Sequence, residues 1–304
     1  MKEMKGKDFL SLRDYNSKQL KHYLEMAIDM KSDKALYENA LEGRNLAMIF
    51  QKPSLRTRMS FQVGMNQLGG NAQFISPSEI QLGKREAVKD VGAVLSRYVD
   101  GIMARVFSHD DVVELANSSS VPVINGLSDL LHPCQAMADL MTVMERFEEL
   151  RGIQLCYVGD GNNVCHSLMY GSAKMGLDMT VACPSGYEPN MDIMEETEMM
   201  GLDLVIEHDP LVAVRGAQVI YTDTWVSMGQ EEEKAARMND FDGFQVNNSM
   251  LELASEDCIV MHCLPAHRNV EISDEVMDGK SSAIFDQAEN RLHAQKAILA
   301  MNIE

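Results

Sequence analysis

Several things are missing from this chain, and each absence removes a class of function. No stretch of the 304 residues approaches the roughly 20 apolar residues of a membrane span, although 45% of the chain is hydrophobic. The start, Met1-Lys2-Glu3-Met4-Lys5, runs into charge where a secretory signal would turn apolar, so a soluble, cytoplasmic protein is expected. The six cysteines, Cys134, Cys156, Cys165, Cys183, Cys258 and Cys263, contain no CxxC pair, which speaks against a disulfide framework or a structural zinc site. Eight histidines form no HxH or HxxxH pair, so no metal is expected. Positive charge is scarce too: 27 Lys and Arg against 46 Asp and Glu leave a net charge of −19, a poor basis for binding nucleic acid or an anionic membrane. An anionic ligand would need a local cluster of arginines. Neither a short repeat nor a low-complexity linker is visible.

What is present is an alternation of strand and helix. A capped amphipathic helix is expected from Asn16, then a buried strand over 44–50, a helix over 56–68 and a strand over 72–75. A long polar loop over 76–86 should follow, then a helix over 87–98, a strand over 101–106, a helix over 110–116 and a strand over 121–125. A long helix opens at Pro133. A second series has strands at 154–158, 179–183, 219–222, 258–262 and 283–285, helices at 163–175, 191–200, 211–215 and 250–254, and a closing helix over 287–301. This order predicts an α/β protein with two doubly wound parallel-sheet domains joined by helices. Ligands of such sheets gather beyond the carboxyl ends of the strands, where Ser54, Arg105, His132, Gly159, Asp223 and Cys263 would fall.

The most informative stretch is Ser54-Leu55-Arg56-Thr57-Arg58. Ser54 is a good N-cap, and the hydroxyls, guanidiniums and helix-start N–H groups suit a phosphate, although an exposed basic helix start would look the same. Gly159-Asp160-Gly161-Asn162-Asn163 hints at a dinucleotide turn but fails on detail: Val164 occupies the third glycine position, and Cys183 stands where a ribose-binding acid is wanted. Asn163 is either a helix cap or an amide that holds a carboxylate. His262-Cys263 suggests a thiol nucleophile, but adjacent residues at a strand end point to opposite sides, so His262 is badly placed to serve Cys263.

Ser54–Arg58, Arg105, His132-Pro133-Cys134-Gln135, Asp223-Thr224-Trp225-Val226-Ser227-Met228-Gly229, His262-Cys263-Leu264-Pro265 and Ala288-Glu289-Asn290-Arg291 together resemble the transcarbamylase family. The resemblance extends over nearly the whole chain, and DxWxSMG is its most specific part. It implies a carbamoyl-phosphate domain over 1–147, completed by a C-terminal helix within 287–304, and an amino-acid domain over 148–286. It also implies a homotrimer with shared sites and no cofactor. Carbamoyl phosphate would be held by Ser54, Leu55, Arg56, Thr57, Arg105, His132, Gln135, Cys263, Leu264 and Arg291, with Gln81 from a neighbouring subunit. L-Ornithine would be held by Asn163, Asp223, Ser227 and Met228. Arg56, Thr57, Arg105, His132, Asp223 and Cys263 would carry the chemistry. One departure stands out: Leu55 replaces the threonine of the family's ornithine enzymes, and leucine occurs there in relatives that carbamoylate N-acetyl- or N-succinylornithine. Those relatives lack the Asp223–Gly229 element, so ornithine remains the expected acceptor, with putrescine next.

Overall fold

The structure is a computed structural model that describes residues 3–226 and 231–304. The chain divides into two compact units, Met1–Met141 with Glu289–Glu304, and Thr142–Ala288.

In the first unit four parallel strands lie in the order β2-β1-β3-β4, where β1 is Asn45–Phe50, β2 Asn71–Ile75, β3 Gly101–Arg105 and β4 Val123–Leu127. Five of the six β1 residues are buried, as expected of an apolar run flanked on both sides, and Phe50 pairs with Arg105 across the sheet. Ile49, Ile102, Ala104, Val112, Leu115 and Val123 form the core beneath the sheet. The register shifts between Ala104 and Arg105, so the Arg105 end of β3 leaves the regular ladder against β4. The second unit holds five parallel strands in the order β7-β6-β5-β8-β9, with β5 Gln154–Val158, β6 Asp178–Ala182, β7 Leu204–Glu207, β8 Val219–Thr222 and β9 Ile259–His262. Its core includes Val158, Ile220, Trp225, Phe241 and Val260. Both sheets are entirely parallel, as the alternation predicts.

Three expectations need correction. Residues 283–285 are not a strand: Ala283 donates one backbone bond to Val260, and the closing helix already starts at Ile284 and runs to Asn302. Strand β7 was not expected, because it is a four-residue edge strand with no fully buried position and carries little apolar signal. The loop over 76–86 contains a short helix, Pro77–Ile80, started by a Ser76/Glu79 capping box. Among the described residues, no helix is long and apolar enough to cross a membrane.

Candidate active site

The helix Leu55–Gln67 begins where the sequence puts it. The Ser54 hydroxyl accepts from the Thr57 N–H (3.3 Å) and donates to Thr57 Oγ1 (3.1 Å). Thr57 is buried, while Leu55 is 74% exposed at the first helical position. The Arg291 guanidinium, on the closing helix, donates to Thr57 Oγ1 (3.3 Å) and to Gln135 Oε1 (2.7 Å), and Gln135 donates in turn to Asp139 (2.8 Å). With its amide turned so that every partner is satisfied, Gln295 also accepts from Arg291 Nε (3.1 Å) and donates to Ser60 (2.6 Å). A five-donor guanidinium fixed on several acceptors is a rigid cation.

Arg105 and His132 are both buried. Burial, then the nearby Arg291 and Arg105 guanidiniums, holds the His132 imidazole well below its usual range, so at neutral pH it is an uncharged donor or acceptor. The unfolded chain would take up a proton near pH 6.5, whereas the folded His132 resists it until lower pH. Stability associated with this group is therefore present above about pH 6.5 and lost as pH falls toward the folded value. Melting temperatures between pH 8 and pH 5 should fall less steeply for His132→Gln than for the parent chain.

In the second unit the tips of β5, β8 and β9 converge. Asp223, immediately after β8, is buried and accepts from three donors: the Cys263 thiol (2.9 Å), the Asn162 amide (2.9 Å) and the Thr224 N–H (2.7 Å). Asn162, not Asn163, caps the helix Asn163–Met175. Its Oδ1 accepts from the N–H groups of Val164 and Cys165 and from the Tyr157 hydroxyl, which leaves Nδ2 aimed at Asp223. Asn163 is thus the first helical residue, and the capping role proposed for it falls to its neighbour. Sequence reasoning passed over Asn162, although a position two before Val164 at a helix start is a standard Asx cap. The glycine that hinted at a dinucleotide has a different use, because a Cβ on Gly161 would lie 2.3 Å from the Pro189 nitrogen. That turn is glycine so that residues 188–189 can pack against it.

His262 and Cys263 do face different partners. The His262 ring accepts the Leu264 N–H at Nδ1 (2.9 Å) and reaches the buried Glu271 from Nε2 (3.1 Å), while Cys263 turns to Asp223. One ligand atom from each of Asp223, His262 and Cys263 falls within 4.8 Å of the others, a grouping that could accept a metal ion. Both histidine nitrogens are already engaged by the protein, however, and the carboxylate already accepts from three donors. The arrangement therefore suits a hydrogen-bonded cluster better than a metal centre. Leu264, two residues past the end of β9, has a positive φ of 59° and precedes a cis peptide bond to Pro265. A further residue that sequence reasoning did not single out is Arg237. It is buried, binds Asp160 (2.9 Å) and Glu233 (2.9 Å), and donates to the Trp225 carbonyl (3.1 Å), which ties the segment after Asp223 to the Gly159–Asn163 turn. Gln81 is exposed and left-handed, at φ 44° and ψ 50°. Ser227 and Met228 lie outside the described residues.

Residues 7–145 match the family profile described as aspartate/ornithine carbamoyltransferase, carbamoyl-P binding domain, and residues 151–302 match that of the Asp/Orn binding domain. The chain is 50% identical over 303 residues to the ornithine carbamoyltransferase of Carboxydothermus hydrogenoformans, covering 98% of this chain and 97% of the relative. It is 54% identical over 280 residues to that of Methanobrevibacter smithii, covering 91% and 93%. Among solved structures, the ornithine carbamoyltransferase from Pyrococcus furiosus superposes with a TM-score of 0.95 at 49% identity, covering 99% of this chain and 98% of that one. Two parallel sheets and matches at both levels over nearly the full length agree: the chain belongs to the aspartate/ornithine carbamoyltransferase family.

Proposed function

We propose that the protein transfers the carbamoyl group of carbamoyl phosphate to the δ-amine of L-ornithine, giving L-citrulline and phosphate. The observation that carries this reading is the Asp223–Cys263 pair at 2.9 Å, a buried carboxylate and thiol at adjacent strand tips where a free amino group can be recognised. In this reading residues 1–147 with 287–304 take carbamoyl phosphate and residues 148–286 take ornithine.

Ser54, Leu55, Arg56, Thr57 and Arg105 hold the phosphate, the first two through the helix start. Gln81 is supplied by a neighbouring subunit of a homotrimer. His132, Gln135 and Arg291 meet the carbamoyl end, together with Cys263 and Leu264. The ornithinium must lose its proton before it can attack, since an amine with a pKa of about 10 is otherwise without a lone pair. Asp223 and Cys263 receive that amine as its first proton passes to solvent, and the departing phosphate takes the second proton, from the nitrogen that attack has made cationic. Attack on the carbamoyl carbon makes a tetrahedral oxyanion. Donors already fixed before the reaction, from Thr57, Arg105 and the neutral His132, stabilise it without reorganising, and one such donor contributes about 3–4 kcal/mol. Asn163, Ser227 and Met228 orient the amino-acid end. Collapse expels phosphate, a good leaving group, so positioning and electrostatics suffice and no cofactor enters.

A steady-state assay with carbamoyl phosphate against ornithine, N-acetylornithine, N-succinylornithine, putrescine and aspartate tests the substrate assignment. Ornithine should be preferred by at least about 10²-fold, because a site built for a charged group rejects an analogue that leaves it unpaired. Preference for an acylated ornithine would transfer the weight to Leu55, and no turnover with any acceptor would leave a carbamoyltransferase fold that only binds.

A further inference from the structure

The Ser54 helix start and the Arg105 strand end belong to different elements, so their spacing depends on whatever ties them together. Gln51, the residue after β1, makes that tie. Its backbone N–H donates to the Arg105 carbonyl (2.8 Å), and its side-chain Oε1 accepts from the Phe107 N–H (2.6 Å). Its Nε2 donates both to the Asp111 carboxylate (3.1 Å) and to the Leu82 carbonyl (3.3 Å). The orientation of the amide is fixed by chemistry, since a backbone N–H can only donate and a carbonyl can only accept. The three side-chain partners are remote in sequence, at separations of 56, 60 and 31 residues.

These partners matter because of where they sit. Gln51 immediately precedes Lys52-Pro53-Ser54, Phe107 lies two residues beyond Arg105, and Leu82 adjoins Gln81. One half-buried amide therefore laces together the two segments that carry Ser54 and Arg105 around one phosphate, and it also anchors the loop whose Gln81 serves a neighbouring subunit. We infer that Gln51 is a positioning residue that sets the geometry of the phosphate cradle, an inference that rests on the reading of the first unit as the carbamoyl-phosphate binder. It touches no substrate in that reading. Its effect on the cradle comes through Arg105 and the Ser54 turn. A shift of about 1 Å in such groups can cost on the order of 10²-fold in rate.

Gln51→Met keeps the length and removes all three side-chain bonds, whereas Gln51→Glu keeps the acceptor for the Phe107 N–H and removes both donors. For Gln51→Met we expect KM for carbamoyl phosphate to rise about tenfold or more and product inhibition by inorganic phosphate to weaken by a similar factor. KM for ornithine at saturating carbamoyl phosphate should stay within about twofold. Gln51→Glu should lose at least as much, because its second carboxylate oxygen would face the Asp111 carboxylate and the Leu82 carbonyl. Two results would overturn the inference: a carbamoyl-phosphate KM within twofold of the parent, or both KM values rising together with a lowered melting temperature, which is the signature of general loosening. If the parent turns over carbamoyl phosphate and Arg56→Ala does not, a normal Gln51→Met sinks this inference alone. A parent without any carbamoyl-phosphate turnover removes the reading beneath it as well.

Discussion

Replacing Arg56 by alanine should lower kcat/KM for carbamoyl phosphate by about 10³-fold while the melting temperature stays within a degree or two of the parent. Arg56 stands in the first turn of the helix Leu55–Gln67, half-buried. Among the described residues its guanidinium takes part in no hydrogen bond or ion pair. Arg291 is the opposite case: it is committed to Thr57, Gln135 and Gln295, and its removal would leave several buried acceptors unsatisfied. A cation held near a helix start without an internal partner adds little to stability and much to the attraction of an anion. Steady-state kinetics alongside thermal melting and gel filtration would separate the two effects. An active Arg56→Ala variant would take this residue out of the phosphate site.

Asp223→Asn is the second change with a large expected effect. The carboxylate accepts from Cys263, Asn162 and Thr224, and the substitution keeps the size while removing the charge. The new amide would also point one of its own donors at a position now occupied by a donor. Losing one side of a buried charge interaction with a substrate ammonium costs about 2–5 kcal/mol. We therefore expect kcat/KM for ornithine to fall by between about 30-fold and several thousand-fold, with the KM for carbamoyl phosphate little changed. If both substrates weaken equally, Asp223 serves the architecture of the strand tips instead.

The fold was legible because its two sheets are built from short apolar runs bounded by polar turns, a pattern that the periodicity of residues reports directly. The same rule misread Ala283-Ile284-Phe285: a helix starts at Ile284, and what remains strand-like is the bridge between Ser282 and Val260 just before it. It missed β7 because an edge strand with half-exposed residues buries too little to leave a pattern. Candidate site residues with distinctive chemistry, such as Arg105, His132, Asp223 and Cys263, could be picked out once the motifs were seen together. Asn162 and Arg237 could not, because their importance lies in partners 61 and 77 residues away, which local spacing does not encode. Gln51 is hidden for the same reason. Leu55 was conspicuous in the sequence as a departure from the family, and its side chain is largely exposed at the helix start.

The first unit is discontinuous, and this bears on the order in which the protein can be finished. Asn302 accepts from the Tyr23 hydroxyl and donates to the Lys7 carbonyl, and Arg291 braces Thr57, so residues from the end of the chain complete a structure begun at its start. On the ribosome, the unit over Thr142–Ala288 is synthesised as one continuous piece and can close as soon as it emerges. The earlier-made unit must wait, with part of its core uncovered, until Glu289–Glu304 has followed. A chain released before residue 289 would carry the Ser54 helix start without Arg291 against Thr57.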